Sequence, residues 1–324
     1  HVVAYRILIQ RPASRTPPAT LKSGYAHHMH VALTGSTGFI GAAVAAELSR
    51  SGCTVRGLVR QNSRLDHVED LLDETIVADM TDRTMQEPLL DGATALIHNA
   101  VDWNALKNGD LARHLDVNLT ASIELLDLAA RRGLRVVFVS SVAVHHDMLP
   151  QWNGQIDATH PTRPGSPYGA CKAAIEAHLW SLHASHDLQF TIIRPSAVYG
   201  IDPRLDRSIG AKIITQVRTG KPFTRKGGGK FVHVDDVAAS IVRPLQCETP
   251  SGGIYHLADC YARWAEWAQM VSDIVDVSVE IDTSSPTSPQ NMFQTDALAK
   301  NLGVDLNRGH AGIRTYLEEL ATLC

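Results

Sequence analysis

From His30 onward, short apolar runs alternate with longer segments in which apolar residues recur at helical spacing. HVALT (30–34), TVRGLV (54–59), TIVA (75–78), ALIH (95–98), RVVFVS (135–140) and FTIIR (190–194) read as strands, with helices near 39–51, 107–131 and 168–186. Strands that are apolar nearly throughout are covered on both faces, and connecting helices of this length suit crossovers between parallel neighbours. The pattern predicts an α/β fold built on a doubly wound parallel sheet. In the helix at 168–186, Ser166 is placed to cap, Pro167 suits the first turn, and Ile175, Leu179 and Leu182 share one face. His183 and His186, near its end, read as surface residues.

Past residue 200 the pattern loosens. Residues 201–210 and 225–230 read as loops, and a smaller α+β region extends to 324, with a return contribution to the first core near 231–258. Residues 29–200 are expected to hold the nucleotide-binding half and 201–324 most of the substrate-binding part. Residues 1–28, basic and without an acidic residue, read as a leader or an extension outside the fold.

Composition narrows the function. The 30 Lys+Arg against 34 Asp+Glu give a net charge of −4, so no general attraction to nucleic acid or an anionic membrane is expected. Five scattered cysteines without a C-x-x-C pair fit a reducing compartment, hence a cytoplasmic protein. No apolar run reaches the roughly 18 residues of a bilayer span. The histidines of HHMH (27–30) lack further ligands at useful spacing, so no metal is assigned.

The chemistry sits at strand ends. TGSTGFIG (34–41) follows a strand and opens a helix. Gly35 permits a tight turn, Gly38 lets backbone approach a pyrophosphate, and Gly41 lets the helix lie close to the sheet, as in the Rossmann fold. The next strand ends in LVRQNSR (58–64), where Arg60 stands in place of the carboxylate that binds an unmodified ribose. That favours NADP(H), with NAD(H) possible. Asp79 and Met80 in VADMTD suit an adenine edge, and a turn-forming Asp79 is an equal reading. SSVAV (140–144) and Tyr168-Gly-Ala-Cys-Lys172 supply a hydroxyl, a phenol and, one helical turn on, an ammonium. A phenol with a pKa near 10 needs such a cation to exchange its proton at neutral pH. Hydride transfer at a carbinol needs this set: a proton acceptor, a donor to the oxyanion and a fixed nicotinamide.

With TGSTGFIG, HNA (98–100), FVSS (138–141), YGACK (168–172), IIRPSAVYG (192–200) and FVHVDDVA (231–238) in order, the chain resembles the extended short-chain dehydrogenase/reductase, or NAD-dependent epimerase/dehydratase, family. The resemblance implies catalytic residues Ser141, Tyr168 and Lys172. It also implies cofactor contacts from Gly35, Thr37, Gly38, Phe39, Ile40, Gly41, Arg60, Asp79, Met80, Ala100, Tyr168, Lys172, Pro195 and Ser196. His233 and Asp235 match the family's hinge between the two regions, without a chemical role. Sugar-nucleotide members carry an arginine where Gly229 stands, and dehydratases an acidic pair where Val142 and Ala143 stand. The expectation is therefore an oxidoreductase reducing a small ketone or aldehyde. A sugar or nucleotide-sugar epimerase with tightly held cofactor, and a non-catalytic dinucleotide sensor, are the alternatives. Candidate substrate-facing residues are Asp102, Trp103, His145, His146, Tyr199 and Arg204. A homodimer through 107–131 and 168–186 is also implied.

Overall fold

The computed structural model describes residues 29–249 and 251–324. The reading of 1–28, with His27 and His28, lies outside them. The strands are β1 (His30–Thr34), β2 (Thr54–Val59), β3 (Glu74–Val77), β4 (Ala95–His98), β5 (Arg135–Val139), β6 (Gln155–Ile156), β7 (Phe190–Pro195), β8 (Ala197–Tyr199), β9 (Gly228–His233), β10 (Gly253–Leu257), β11 (Cys260–Arg263) and β12 (Met292–Phe293).

Seven of them form one sheet in the order β10-β7-β5-β4-β1-β2-β3, all neighbours parallel. Alternation decides which layer each apolar side chain joins. Val31, Leu33, Val137 and Val139 pack under the helices Phe39–Arg50 and Val234–Gln246, whereas Ala32, Val136 and Phe138 pack under Ala121–Arg131 and Pro167–His186. Both faces are buried, as the unbroken apolar runs require. The order of strands reverses between β1 and β4, so the crevice beyond their carboxyl ends is the switch point at which such sheets bind ligands.

Three departures from the sequence reading are physical in origin. The expected helix at 107–131 is divided into Trp103–Lys107, Leu111–Leu115 and Ala121–Arg131, with a wide π turn at Asp116–Thr120. Gly109 at φ +69° turns the chain, and Asp110 restarts the helix by accepting the Arg113 N–H at 2.9 Å. Gly228–Lys230, expected as loop, is strand: β9 pairs antiparallel with β11 and parallel with β8 in a small second sheet. A Cβ on Gly228 would lie 2.5 Å from the Ala262 carbonyl oxygen, so the glycine permits this close pairing. His183, expected at the surface, is half-buried, its Nδ1 2.9 Å from the Leu188 carbonyl.

The C-terminal region has its own core around Trp267, Phe231, Ile313 and Leu317. It also returns to the first one: β10 is a main-sheet strand, and Leu298 and Leu302 pack beneath the first helix layer. Among the described residues no helix is long and apolar enough to cross a membrane.

Candidate active site

The glycine turn leads from β1 into Phe39–Arg50. Gly35 has φ +70°, and a Cβ there would lie 3.0 Å from the Ala100 backbone. At Gly41 the constraint is harder, since a Cβ would come within 1.9 Å of the Gly35 carbonyl oxygen. Gly38 caps the helix without a side-chain hydrogen bond, and the first turn holds no acidic residue. Its N–H groups and the positive end of its dipole are therefore left to an anion, which fits a pyrophosphate. Phe39 and Ile40 lie in the first turn, with Ile40 packed against the core. Thr37 bridges to the β2 end, its Oγ1 at 3.5 Å from Ser63 Oγ and its carbonyl 3.1 Å from His67 Nε2.

Arg60 is exposed, and its guanidinium has no ion pair among the described residues, whereas Arg64 is tied to Asp66 at 2.6 Å. Asp79 turns the chain by accepting the Thr81 N–H at 3.0 Å and its hydroxyl at 2.8 Å. Partial burial pushes its carboxyl up, but the Thr81 donors and Arg113 outweigh this and hold it below the ordinary range. Met80 packs against the second core layer.

Beyond β4 a chain of oriented hydrogen bonds fixes the floor of the crevice. Thr34 Oγ1 accepts from the Asn99 and Ala100 amides at 3.1 Å each, so its proton faces His98 Nδ1 at 2.8 Å. The remaining His98 nitrogen then donates to Ser122 Oγ at 2.8 Å, and Ser122 to the Asn118 carbonyl at 3.2 Å. Burial, helped by the Lys172 charge, pushes His98 down to about 3, so it stays neutral.

Tyr168 and Lys172 stand one turn apart on Pro167–His186, whose start is capped by Ser166 accepting the Gly169 N–H at 3.1 Å. They share a small cavity with Ala100, Val101, Asn118 and Cys171. The Lys172 ammonium lies 5.9 Å from the Tyr168 ring centre and donates to the Val139 carbonyl at 2.6 Å. Burial pushes it down to about 7, against the pull of Glu176. Burial pushes the Tyr168 phenol up to about 12, while the nearby Ser141 hydroxyl works the other way. Of the two serines, Ser140 is buried and donates to Glu176 at 2.5 Å, whereas Ser141 is half-exposed beyond β5 and accepts the Ala143 N–H at 3.1 Å. Pro195 ends β7, and Ser196, held by its N–H to the Leu257 carbonyl at 2.8 Å, keeps a buried hydroxyl without a partner among the described residues. An orphaned hydroxyl at this strand end fits a carboxamide.

The candidate substrate contacts divide. Trp103 is 51% exposed and covers the Tyr168 ring at 4.9 Å between centres, on a helix capped by Asp102. His146 and Arg204 are exposed. His145 and Tyr199 are corrections. His145 is buried, its Nε2 3.1 Å from both Arg194 and His256, and Tyr199 is enclosed between His233 and Trp267. Neither opens to the crevice, because the second core closes over Tyr199 and an ion network over His145. In that network Arg194 clasps Glu176 at 2.6 and 3.0 Å. His233 caps Val234–Gln246 through the Asp235 N–H at 3.2 Å. Asn118 lines the Tyr168 cavity and was missed by the sequence reading. The signal available was a polar residue on an otherwise buried helical face.

Comparison with known proteins places this geometry. The model of the NAD dependent epimerase/dehydratase family matches residues 31–258. Sterol demethylase protein B of Methylococcus capsulatus is 31% identical over 212 residues, 65% of this chain and 64% of that one. Dihydroflavonol 4-reductase of Dianthus caryophyllus is 27% identical, covering 75% and 72%. The solved UDP-glucuronic acid 4-epimerase of Bacillus cereus, in complex with UDP-glucuronic acid and NAD, shares the fold at TM-score 0.77 and 19% identity, over 91% of this chain and 99% of that one. A family match over most of the chain, on a seven-stranded parallel sheet with the glycine turn at its switch point, shows that the chain belongs to the NAD-dependent epimerase/dehydratase family.

Proposed function

We propose that the protein is a nicotinamide-dependent oxidoreductase, favouring NADP(H), that reduces the carbonyl of a small ketone or aldehyde. The observation that carries this reading is the convergence of Tyr168 and Lys172 on one cavity with Ala100, at the end of the crevice opened by the glycine turn. The glycine turn and the uncapped start of Phe39–Arg50 would hold the pyrophosphate, Arg60 a ribose phosphate, and Ser196 the carboxamide. The nicotinamide supplies the hydride.

The protein's own residues handle the oxygen and the proton. Ser141 donates to the carbonyl oxygen and polarises it. Tyr168, kept protonated by burial, gives its proton to that oxygen as negative charge develops. Lys172 steadies the phenolate left behind and takes up its position through the Val139 carbonyl. Trp103 shields the phenol from bulk water. The divided reading of residues 29–200 as cofactor-binding and 201–324 as substrate-binding belongs to the same proposal, as does a homodimer.

Loss of the reduced nicotinamide's absorbance on adding a panel of ketones tests the reading, run with NADPH and NADH in parallel. NADPH should be consumed in proportion to alcohol formed, and Tyr168→Phe should lower kcat by about 100-fold or more while dinucleotide binding persists. Turnover without net change in cofactor would instead identify an epimerase. A Tyr168→Phe protein with undiminished turnover would overturn the assignment.

A further inference from the structure

Among the described residues, Lys230 is a cation of the C-terminal region that is drawn partly out of water without a matching charge. It lies on β9, half-buried, with its Nζ 5.5 Å from the centre of the Phe293 ring. Among the described residues it has neither a carboxylate within 4.0 Å nor a hydrogen-bond acceptor. Of the nearby cations, Lys226 faces Asp282 at 3.6 Å and Arg263 faces Glu266 at 3.1 Å, while the exposed Arg225 stacks 3.6 Å over Trp264. An aromatic face attracts an ammonium but does not take its N–H donors as a carboxylate does. Half-burying a charge without a counter-ion is costly, and an arriving anion removes that cost.

The surroundings give the rest of the ligand. Phe293, 5% exposed, belongs to an apolar cluster with the partly buried Val142, Met148 and Trp152. Val142 directly follows Ser141, so this wall begins beside the serine that polarises the carbonyl. Phe293 also packs against His256 at 5.0 Å between centres, and the following residue of β10, Leu257, accepts the Ser196 N–H at 2.8 Å. Lys230 and the apolar wall thus flank the same strand ends from which Ser141 and Ser196 project.

Resting on the oxidoreductase reading above, we propose that the substrate is an apolar carbonyl compound bearing one carboxylate, its body on Val142, Met148 and Trp152 and its anion on Lys230.

Calorimetry on the full chain saturated with NADPH tests this without turnover, using 4-ethylbenzoate and the neutral 4-ethylbenzamide. The carboxylate should bind roughly tenfold tighter than the amide. Lys230→Met should abolish that ratio, Lys230→Glu invert it and Lys230→Arg retain it. A wild-type protein without the preference, or a Lys230→Met protein that keeps it, would overturn the proposal. A second arm compares kcat/KM for 4-acetylbenzoate and its methyl ester. If neither ketone is reduced while the binding ratio follows Lys230, the oxidoreductase reading fails and the anion site stands. If both are reduced with a ratio indifferent to Lys230, the anion site fails and the oxidoreductase reading stands.

Discussion

Lys172 shows how one side chain can be both necessary and destabilising. Its burial pushes the ammonium from its ordinary 10.5 down to about 7. Between those values the unfolded chain holds a proton that the folded protein releases, so this group makes stability rise with pH across that window. Below about pH 7 the folded state carries the full cost of a buried charge. Lys172→Met should therefore raise stability by a few kcal/mol near pH 6 and by little near pH 10, while removing the cation on which Tyr168 depends. Denaturant unfolding at those two pH values measures the difference, and an equal gain at both would contradict the account. The motif Y-x-x-x-K places both residues on one helix face. The spacing gives no information on the Val139 carbonyl, supplied from β5, that orients the ammonium.

At the scale of elements, the turn and helix at 34–41 form a unit in which each glycine meets a different limit. Gly35 needs a positive φ, and Gly41 needs the absence of a Cβ because the Gly35 carbonyl occupies its place. Gly41→Ala should therefore lower unfolding stability by about 1–3 kcal/mol and weaken dinucleotide binding through displacement of the turn. Paired thermal melts with and without NADPH read both effects, and an unchanged ligand-induced shift would refute the second. Elements with strong local signals were legible: the strands β1, β2, β4 and β5 and the helix from Pro167 lie within a residue or two of their expected bounds. The broken helix after Trp103 was not, because its segments are set by Asp102 and Asp110 caps and by Asn118 hydrogen bonds to Asp102, not by periodicity. β9 was also obscured, since glycine-rich sequence reads as loop until a partner strand is in place.

Across the whole molecule, several histidines are kept neutral by the packing of distant segments. Burial drives His98 and His145 down to about 3 and His256 to about 2, with Lys172 adding to the effect on the first and Arg194 on the other two. In the unfolded chain each binds a proton near its ordinary 6.5, so folding stability present above that pH is lost progressively on acidification. The histidine contribution to stability should begin to be lost below about pH 6.5, and His256→Phe should flatten the slope of stability against pH in that acidic range. An urea-unfolding series from neutral to acidic pH checks this, and a slope unaltered by the substitution would disprove it.

What the sequence determined by itself is the local grammar: alternating apolar runs that require a covered parallel sheet, glycines at a strand-to-helix turn, and a tyrosine and lysine one turn apart. These follow from short-range sterics and periodicity, which few residues suffice to express. Only tertiary structure decided which candidates share a site. His145 lies in the Arg194–Glu176 network and Tyr199 in the C-terminal core, while Asn118 joins the Tyr168 cavity and Lys230 meets Phe293 from segments far apart in the chain. The physical reason is that burial and charge pairing are sums over distant neighbours, and the chain acquires those neighbours only when the sheet and the returning C-terminal segments close together.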